Sequence, residues 1–463
     1  MNIYENQISF PDKWLSKIPS HWQTHKMKRL FDERSEKGYP QEPLLVASQN
    51  KGVIPKAMYG TRTVEAQKDL HLLKRVHVGD FVISLRSFQG GLEYAYYQGI
   101  ISPAYTILVP HAPILATYFR YLAKCKPFIG LLTLCVTGIR EGQNIDYTKL
   151  RNHILPLPPR AEQDQIVRFL DWKVSEINKL IGIRKKEISE LESLKLCHMT
   201  NVITKGLNND IQKKSTSSKW IGDIPTHWDL VAVRRVYKVI LGKMLAPNRN
   251  TNSDKLEEYI CAKDVHFDGI TLSDLKKMWF SKFEREQYRV GDGDLLVVEG
   301  GAGAGNAALL DKKDKKDVYV QNSVHIIRAK DDKAINSYLC FWLFSLVKRG
   351  YMESVCSVAT IPHYTKDKVL STVMPLPPLA EQQKIVEHLE KYSAEINALI
   401  LKNKNTINEM LELKNTIISD VVTGKIDVRN VAIPAYEHID DAADAGDGEE
   451  NAEELAEEEE MEA

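Results

Sequence analysis

The chemically most suggestive spacing in the chain is Val298-Glu-Gly-Gly-Ala-Gly-Ala-Gly305, an acid followed by glycines at alternate positions, directly after the apolar run Asp294–Val298. That order has the form of an S-adenosylmethionine loop, where glycines let the backbone close around a cofactor behind a strand. Such a loop needs a long helix behind it, and here Asn306-Ala-Ala-Leu-Leu310 runs at once into Asp311-Lys-Lys-Asp-Lys-Lys-Asp317. A base-methylating site would also carry an Asp/Asn/Ser-Pro-Pro-aromatic motif, but both Pro-Pro pairs follow a leucine, Leu157 and Leu376. No Gly-x-x-x-x-Gly-Lys-Ser/Thr phosphate loop occurs, which assigns any ATP hydrolysis to another chain. Pro11-Asp12-Lys13 is too short a match for a nuclease. The 13 histidines and six cysteines (Cys125, Cys135, Cys197, Cys261, Cys340, Cys356) show no metal-ligand spacing, and the cysteines read as reduced core residues. The chain therefore reads as non-catalytic, with no cofactor and no metal.

What remains is the chemistry of contact. Arginine pairs with guanine, and asparagine or glutamine with adenine, through two parallel hydrogen bonds in the major groove. The first half of the chain offers Arg86-Ser87-Phe88-Gln89 and Arg140-Glu-Gly-Gln143-Asn144, and the second offers Lys263, Gly303, Asn306, His363 and Tyr364. Each of these is equally a phosphate contact or an ordinary polar loop, and the glycine run is equally a plain hairpin. Charge points the same way. The net charge is +0, but residues 430–463 hold 14 acids and no Lys or Arg. The preceding 429 residues thus set 62 basic side chains against 48 acidic ones, a surplus that suits a polyanion.

Two stretches must position these groups. Pro156-Leu-Pro-Pro-Arg-Ala-Glu-Gln-Asp-Gln-Ile-Val167 returns as Pro375-Leu-Pro-Pro-Leu-Ala-Glu-Gln-Gln-Lys-Ile-Val386, and the register holds without a gap, 219 residues apart, through Val202-Ile-Thr204 and Val421-Val-Thr423. Each copy opens a long run without proline. Apolar residues recur at alternating four- and three-residue steps: Leu170, Val174, Ile177, Ile181, Ile188 and Leu191, then Leu389, Ile396, Ile400, Ile407 and Met410. Pro159 and Pro378 stand where a first helical turn accepts proline, and Glu162 and Glu381 where the helix dipole favours an acid. A helix from Arg160 to Thr204 would span about 68 Å, too long for one globular domain, and needs a partner helix along its length. Arg184 and Asn403 on the seam read as register devices, and Gly182 as a place for a bend.

The duplication extends further. Lys13-Trp14 with Ile18-Pro-Ser-His-Trp22 recurs as Lys219-Trp220 with Ile224-Pro-Thr-His-Trp228. From the motif tryptophan to the Pro-Leu-Pro-Pro run there are 134 residues in the first unit and 147 in the second. Between them, Tyr105–Val109 and Val324–Ile327 read as strands, and Ala112–Ala123 and Ile335–Val347 as helices. The fold class is thus α/β (α+β): two tandem variable domains, residues 1–155 and 219–374, with two long helices over 156–206 and 375–428. Residues 207–218 read as a surface linker, and 429–463 as a disordered acidic tail. No segment is apolar enough to span a membrane, and the N-terminus lacks a signal-peptide order, so the expected location is the cytoplasm.

This tandem resembles the specificity subunit of type I restriction-modification systems. The resemblance rests on Pro156–Val167, Pro375–Val386, the entry motif at Ile18–Trp22 with its copy, and Thr360-Ile-Pro-His-Tyr364. It covers residues 1 to about 428 and leaves the acidic tail outside. It implies two target-recognition domains, each reading one half of a split double-stranded DNA site, and an antiparallel coiled coil of the two helices. It also implies docking of two methyltransferase subunits on those helices and, through the complex, an ATP-dependent restriction subunit. The alternative is a freestanding coiled-coil DNA-binding or scaffolding protein.

Overall fold

The computed structural model describes residues 3–59, 69–85, 87–137, 144–208, 210–311, 317–356 and 362–439. Its contacts group into two units, Met1–Lys186 with Asn403–Ala463, and Glu187–Lys402.

The two repeated runs are single helices, α1 (Arg160–Lys205) and α2 (Leu379–Val422). The amides of Glu162 and Gln163 bond the Pro159 carbonyl, and those of Glu381 and Gln382 bond Pro378, so each helix starts on its proline. Gly182 does not interrupt α1. In the first unit Lys414 of α2 reaches Asn178 of α1 at 3.5 Å, and in the second Lys195 of α1 reaches Asn397 of α2 at 2.9 Å. Within the second unit His198 of α1 also meets His388 of α2 at 2.8 Å, so rising numbers on α1 meet falling numbers on α2 and the pair is antiparallel there. Leu170, Ile177, Ile181, Leu389 and Ile396 are buried on the seam, whereas Ile188, Leu191, Ile400, Ile407 and Met410 are half-buried. Two helices alone cannot enclose a seam, and it is the flanking domains that complete the burial near the helix ends.

The first unit carries a four-stranded antiparallel sheet built from β1 (Phe31–Arg34), β2 (Phe81–Ile83), β3 (Glu93–Tyr94) and β4 (Thr106–Pro110), in the order β1-β4-β2-β3. The second unit repeats it with β5 (Tyr237–Leu241), β6 (Leu295–Val298), β7 (Ala307–Leu309) and β8 (Val324–Ala329), in the order β5-β8-β6-β7. The inner strands β2 and β6 are buried on both faces, which is why they read as unbroken apolar runs. In the first unit Phe81, Phe119 and Phe128 pack edge to face, with Phe81 and Phe119 centroids 4.8 Å apart. In the second, Trp228, Tyr237, Tyr338 and Trp342 form the equivalent core.

The Glu-Gln pair of the repeated motif fastens each domain to its helix. In the first unit the Glu162 carboxylate accepts from Trp22 Nε1 at 2.9 Å, from His21 Nε2 at 2.8 Å and from the Tyr4 hydroxyl. In the second, Glu381 accepts from Trp228 Nε1 at 3.0 Å and His227 Nε2 at 2.9 Å. Gln163 accepts from the Leu115 amide at 2.8 Å and donates to the Pro113 and Pro158 carbonyls; Gln382 accepts from Ile335 and donates to Lys333 and Pro377. The helix C-termini are held alike: Tyr118 donates to the Val422 carbonyl and Tyr338 to the Ile203 carbonyl, each at 3.1 Å.

Three expectations are corrected. The stretch read as a linker contains a strand, Lys213–Ser215, paired antiparallel with Asp223–Pro225 as Gln7–Ser9 pairs with Lys17–Pro19. Its polar sequence hid the pairing because all three residues are exposed. The segment read as the start of the tail is a strap lying on α1 in the first unit. Val431 and Ile433 pack on the core, Gln165 donates to the Val428 and Val431 carbonyls, and Asn178 donates to the Ile439 carbonyl at 3.1 Å. Backbone carbonyls do that anchoring, so side-chain composition gave no sign of it; the remainder, 440–463, lies outside the described residues. The six cysteines are free, but Cys197 is exposed on α1 rather than in a core. Among the described residues no helix is long and apolar enough to cross a membrane.

Candidate nucleic-acid interface

In the second unit, one end of the sheet gathers three loops. β5 ends at Leu241 opposite His325, β8 starts at Val324 opposite Val298, and β6 passes through the glycine run into β7. The glycine run is a hairpin turn between antiparallel strands, closed by Gly305 N to Val298 O and Val298 N to Asn306 O, both 2.9 Å. No helix follows it, which removes the geometry a nucleotide loop requires. The glycines answer to packing. A Cβ on Gly300 would lie 2.8 Å from His363 Nδ1, and Gly305 sits at φ +85° with Met352 Cε 2.6 Å from its would-be Cβ.

The segment before the second helix is stitched to this hairpin. Tyr364 N bonds Glu299 O at 2.6 Å, and Gly301 N bonds Pro362 O at 3.2 Å. The result presents His363 to solvent over Gly300, beside Gly303 and Asn306. Burial raises the Glu299 carboxyl, and the neighbouring His363 partly offsets it. Tyr364 is corrected: its ring is fully buried and its hydroxyl bonds Thr372 Oγ1 at 2.5 Å, so it anchors His363 and offers no surface of its own. Beneath it, fully buried His325 donates Nε2 to the Tyr364 carbonyl at 3.1 Å. Lys263 is exposed, 3.4 Å from Asp264, on a turn tied to the same sheet end by Ala262 N and Ser323 Oγ at 3.1 Å.

The first unit builds the matching edge from the loop between β2 and β3 and from Asn144, which stands 219 positions before His363. Gln89 and Asn144 are exposed there. Ser87 is corrected: it is buried, and its hydroxyl accepts from the Ser84 amide at 2.8 Å, holding the loop from inside. Arg86, Arg140, Gln143 and Thr360 lie outside the described residues. Sequence reasoning missed the tip Gln49-Asn50-Lys51 of the hairpin Leu45–Ser48/Gly52–Pro55. The Gln49 side chain comes within 2.8 Å of a would-be Cβ on Gly90, and Lys124 Nζ bonds the Gln49 carbonyl at 2.9 Å. The signal was a polar turn ending in Gly52, φ +72°, between two apolar runs.

A second duplicated surface lies on the helices. Leu180 and Leu399, one repeat apart, are both 48% exposed, and Leu194 and Leu413, also one repeat apart, are 54% and 53% exposed. Each unit thus holds one such leucine from each helix. Single exposed leucines are ordinary, and here the exposure recurs at matched positions in both copies.

Residues 247–409 match the family model of the type I restriction modification DNA specificity domain. A Methanocaldococcus jannaschii chain, named as the specificity subunit of the type I restriction enzyme MjaX, is 24% identical over 93% of this chain and 99% of its own length. The family model and this relative both indicate a type I specificity subunit. A second relative, the specificity subunit of the type I restriction enzyme MjaVIII of the same organism, is 27% identical over 68% of this chain and 71% of its own. A solved chain from a study of complex assembly and conformational transition in a type I restriction-modification system superposes with a TM-score of 0.64. It covers 89% of this chain and 100% of its own at 16% identity, a likeness of fold.

Proposed function

We infer that this chain is the DNA sequence-specificity subunit of a type I restriction-modification complex in the cytoplasm. Each target-recognition domain, residues 1–155 and 219–374, reads one half of a bipartite double-stranded site. The observation that carries this is the duplicated sheet end, where loops of unlike sequence sit on strands of like order: Gln89 and Asn144 on one, Lys263, Asn306 and His363 on the other. A common frame with divergent tips suits two readers of different sequences on one duplex. The long helices, 156–206 and 375–428, dock methyltransferase subunits, and the two matched leucine pairs support two copies. Base methylation and ATP-dependent restriction belong to those partners, and this chain is non-catalytic. Exchange of residues 1–155 for the equivalent domain of a relative, followed by methylome sequencing of a host carrying the whole system, tests the reading. One half of the methylated site changes and the other stays; a change in both halves overturns it, as does a chain that binds DNA tightly and specifically without a methylating partner.

A further inference from the structure

The loop leaving β5 carries two exposed apolar side chains. Met244 is 74% exposed and Leu245 58%, adjacent apolar side chains at the same sheet end as the glycine hairpin and His363. They are held firmly from both sides. Before them, Lys243 N bonds Val320 O at 3.0 Å and Asn322 N bonds Lys243 O at 2.8 Å; after them, Trp279 N bonds Ala246 O at 3.0 Å. Gly242 allows the close approach, since a Cβ there would fall 2.3 Å from the Gln321 carbonyl oxygen. Two large apolar side chains thus project between anchored neighbours.

Their surroundings suit a polyanion. Residues 243–253, Lys-Met-Leu-Ala-Pro-Asn-Arg-Asn-Thr-Asn-Ser, include no acid. The next residue, Asp254, is buried with its carboxylate taken up by the amides of Asn250 and Thr251, each at 3.0 Å. Arg249 lies over the Trp279 ring, its guanidinium fixed by the carbonyls of Thr251 and Asn252. Lys243 itself is buried and paired with Glu284 at 2.5 Å, so the apolar tips stand beside exposed Arg249 and the exposed Asn248, Asn250 and Asn252, a setting like that of proteins that press an aliphatic wedge against stacked bases.

We propose that Met244 and Leu245 form an apolar wedge that enters the DNA groove and packs on base pairs of the half-site read by the second domain. This rests on the specificity reading above. The test compares the complete complex, co-purified with its modification partner, as wild type and as Met244→Ala/Leu245→Ala, on a duplex carrying the site that the wild type methylates. The double variant binds that duplex at least tenfold more weakly, binds random duplex at low salt as the wild type does, and relaxes preference within the second half-site only. Met244→Leu restores the wild-type pattern, which separates the wedge from a folding defect. Unchanged affinity and methylation pattern overturn the wedge, and so does loss of the co-purifying partner, which would make the tip a protein contact. A wild-type complex that methylates without sequence preference overturns the specificity reading itself.

Discussion

Trp22 donates its indole proton to Glu162 at 2.9 Å, and in the second copy of both motifs Trp228 donates to Glu381 at 3.0 Å. The two fasteners differ in exposure: the Glu162 side chain is 5% exposed and that of Glu381 25%. A buried carboxylate that loses a donor has no water to replace it, whereas a partly exposed one does. Trp22→Phe therefore costs the first unit about 2–3 kcal/mol, and Trp228→Phe costs the second about 1–2 kcal/mol. Urea unfolding of each variant measures both; the double variant is additive because the sites share no partner. Equal losses would show that exposure does not set the cost.

The frame was legible in the sequence and the edge was not. Period, proline position and the Glu-Gln pair announced α1 and α2, because a long helix has few ways to satisfy its starting amides and its apolar stripe. The inner strands were legible too, since Leu295–Val298 must be apolar on both faces. Loop roles depend on direction, which spacing does not encode: Ser87 and Tyr364 carry polar atoms suited to DNA but turn them inward to Ser84 and Thr372. The strap stayed hidden for a related reason, as Gln165 and Asn178 hold it through carbonyls that every sequence possesses.

His363 and Asn144 occupy equivalent positions on the two edges, and each is exposed. Alanine at either removes at most one or two hydrogen bonds to a base or phosphate, so stability stays within about 0.5 kcal/mol while specific DNA affinity falls by about 1–3 kcal/mol. Affinity on duplexes altered one half-site at a time assigns them: His363→Ala relaxes one half and Asn144→Ala the other. Relaxation of the same half by both would break the pairing of edges with half-sites.

The second unit also carries an acid sensitivity. Burial lowers His325 below its ordinary value of 6.5, despite the bond from its ring to the Tyr364 carbonyl, and burial with the neighbouring His388 lowers His198. A histidine depressed in the folded state binds its proton more readily when unfolded. Stability is therefore full above about pH 6.5 and declines as the pH falls from there through the folded values. Calorimetric melting between pH 7.5 and 5.5 follows it. His325→Gln, which keeps a donor for Tyr364, flattens the decline; an unchanged slope would remove His325 as its source.

Two truncations separate the strap from the acids that follow it. Ser175 and Asn178 are buried and bonded to the strap, while their repeat mates Ala394 and Asn397 are exposed. Ending the chain after Val428 uncovers those groups, strips Val431 and Ile433 from the core and leaves Gln165 without one of its two carbonyls. Two half-buried aliphatics and the hydrogen bonds that Gln165, Ser175 and Asn178 make to the strap amount to about 2–4 kcal/mol of the first unit's stability. Ending it after Ile439 keeps every one of these contacts and removes 13 of the tail's 14 acids. That variant melts like the full chain but binds random duplex more tightly at low salt, with the gain fading toward 0.2 M as screening shortens the reach of the tail's charge. Filter binding at two salt concentrations and thermal melting of both truncations measure the two effects side by side. Equal low-salt affinity with and without residues 440–463 would leave the acids a solubility role alone, and equal melting after both cuts would deny the strap any share in holding the first unit together.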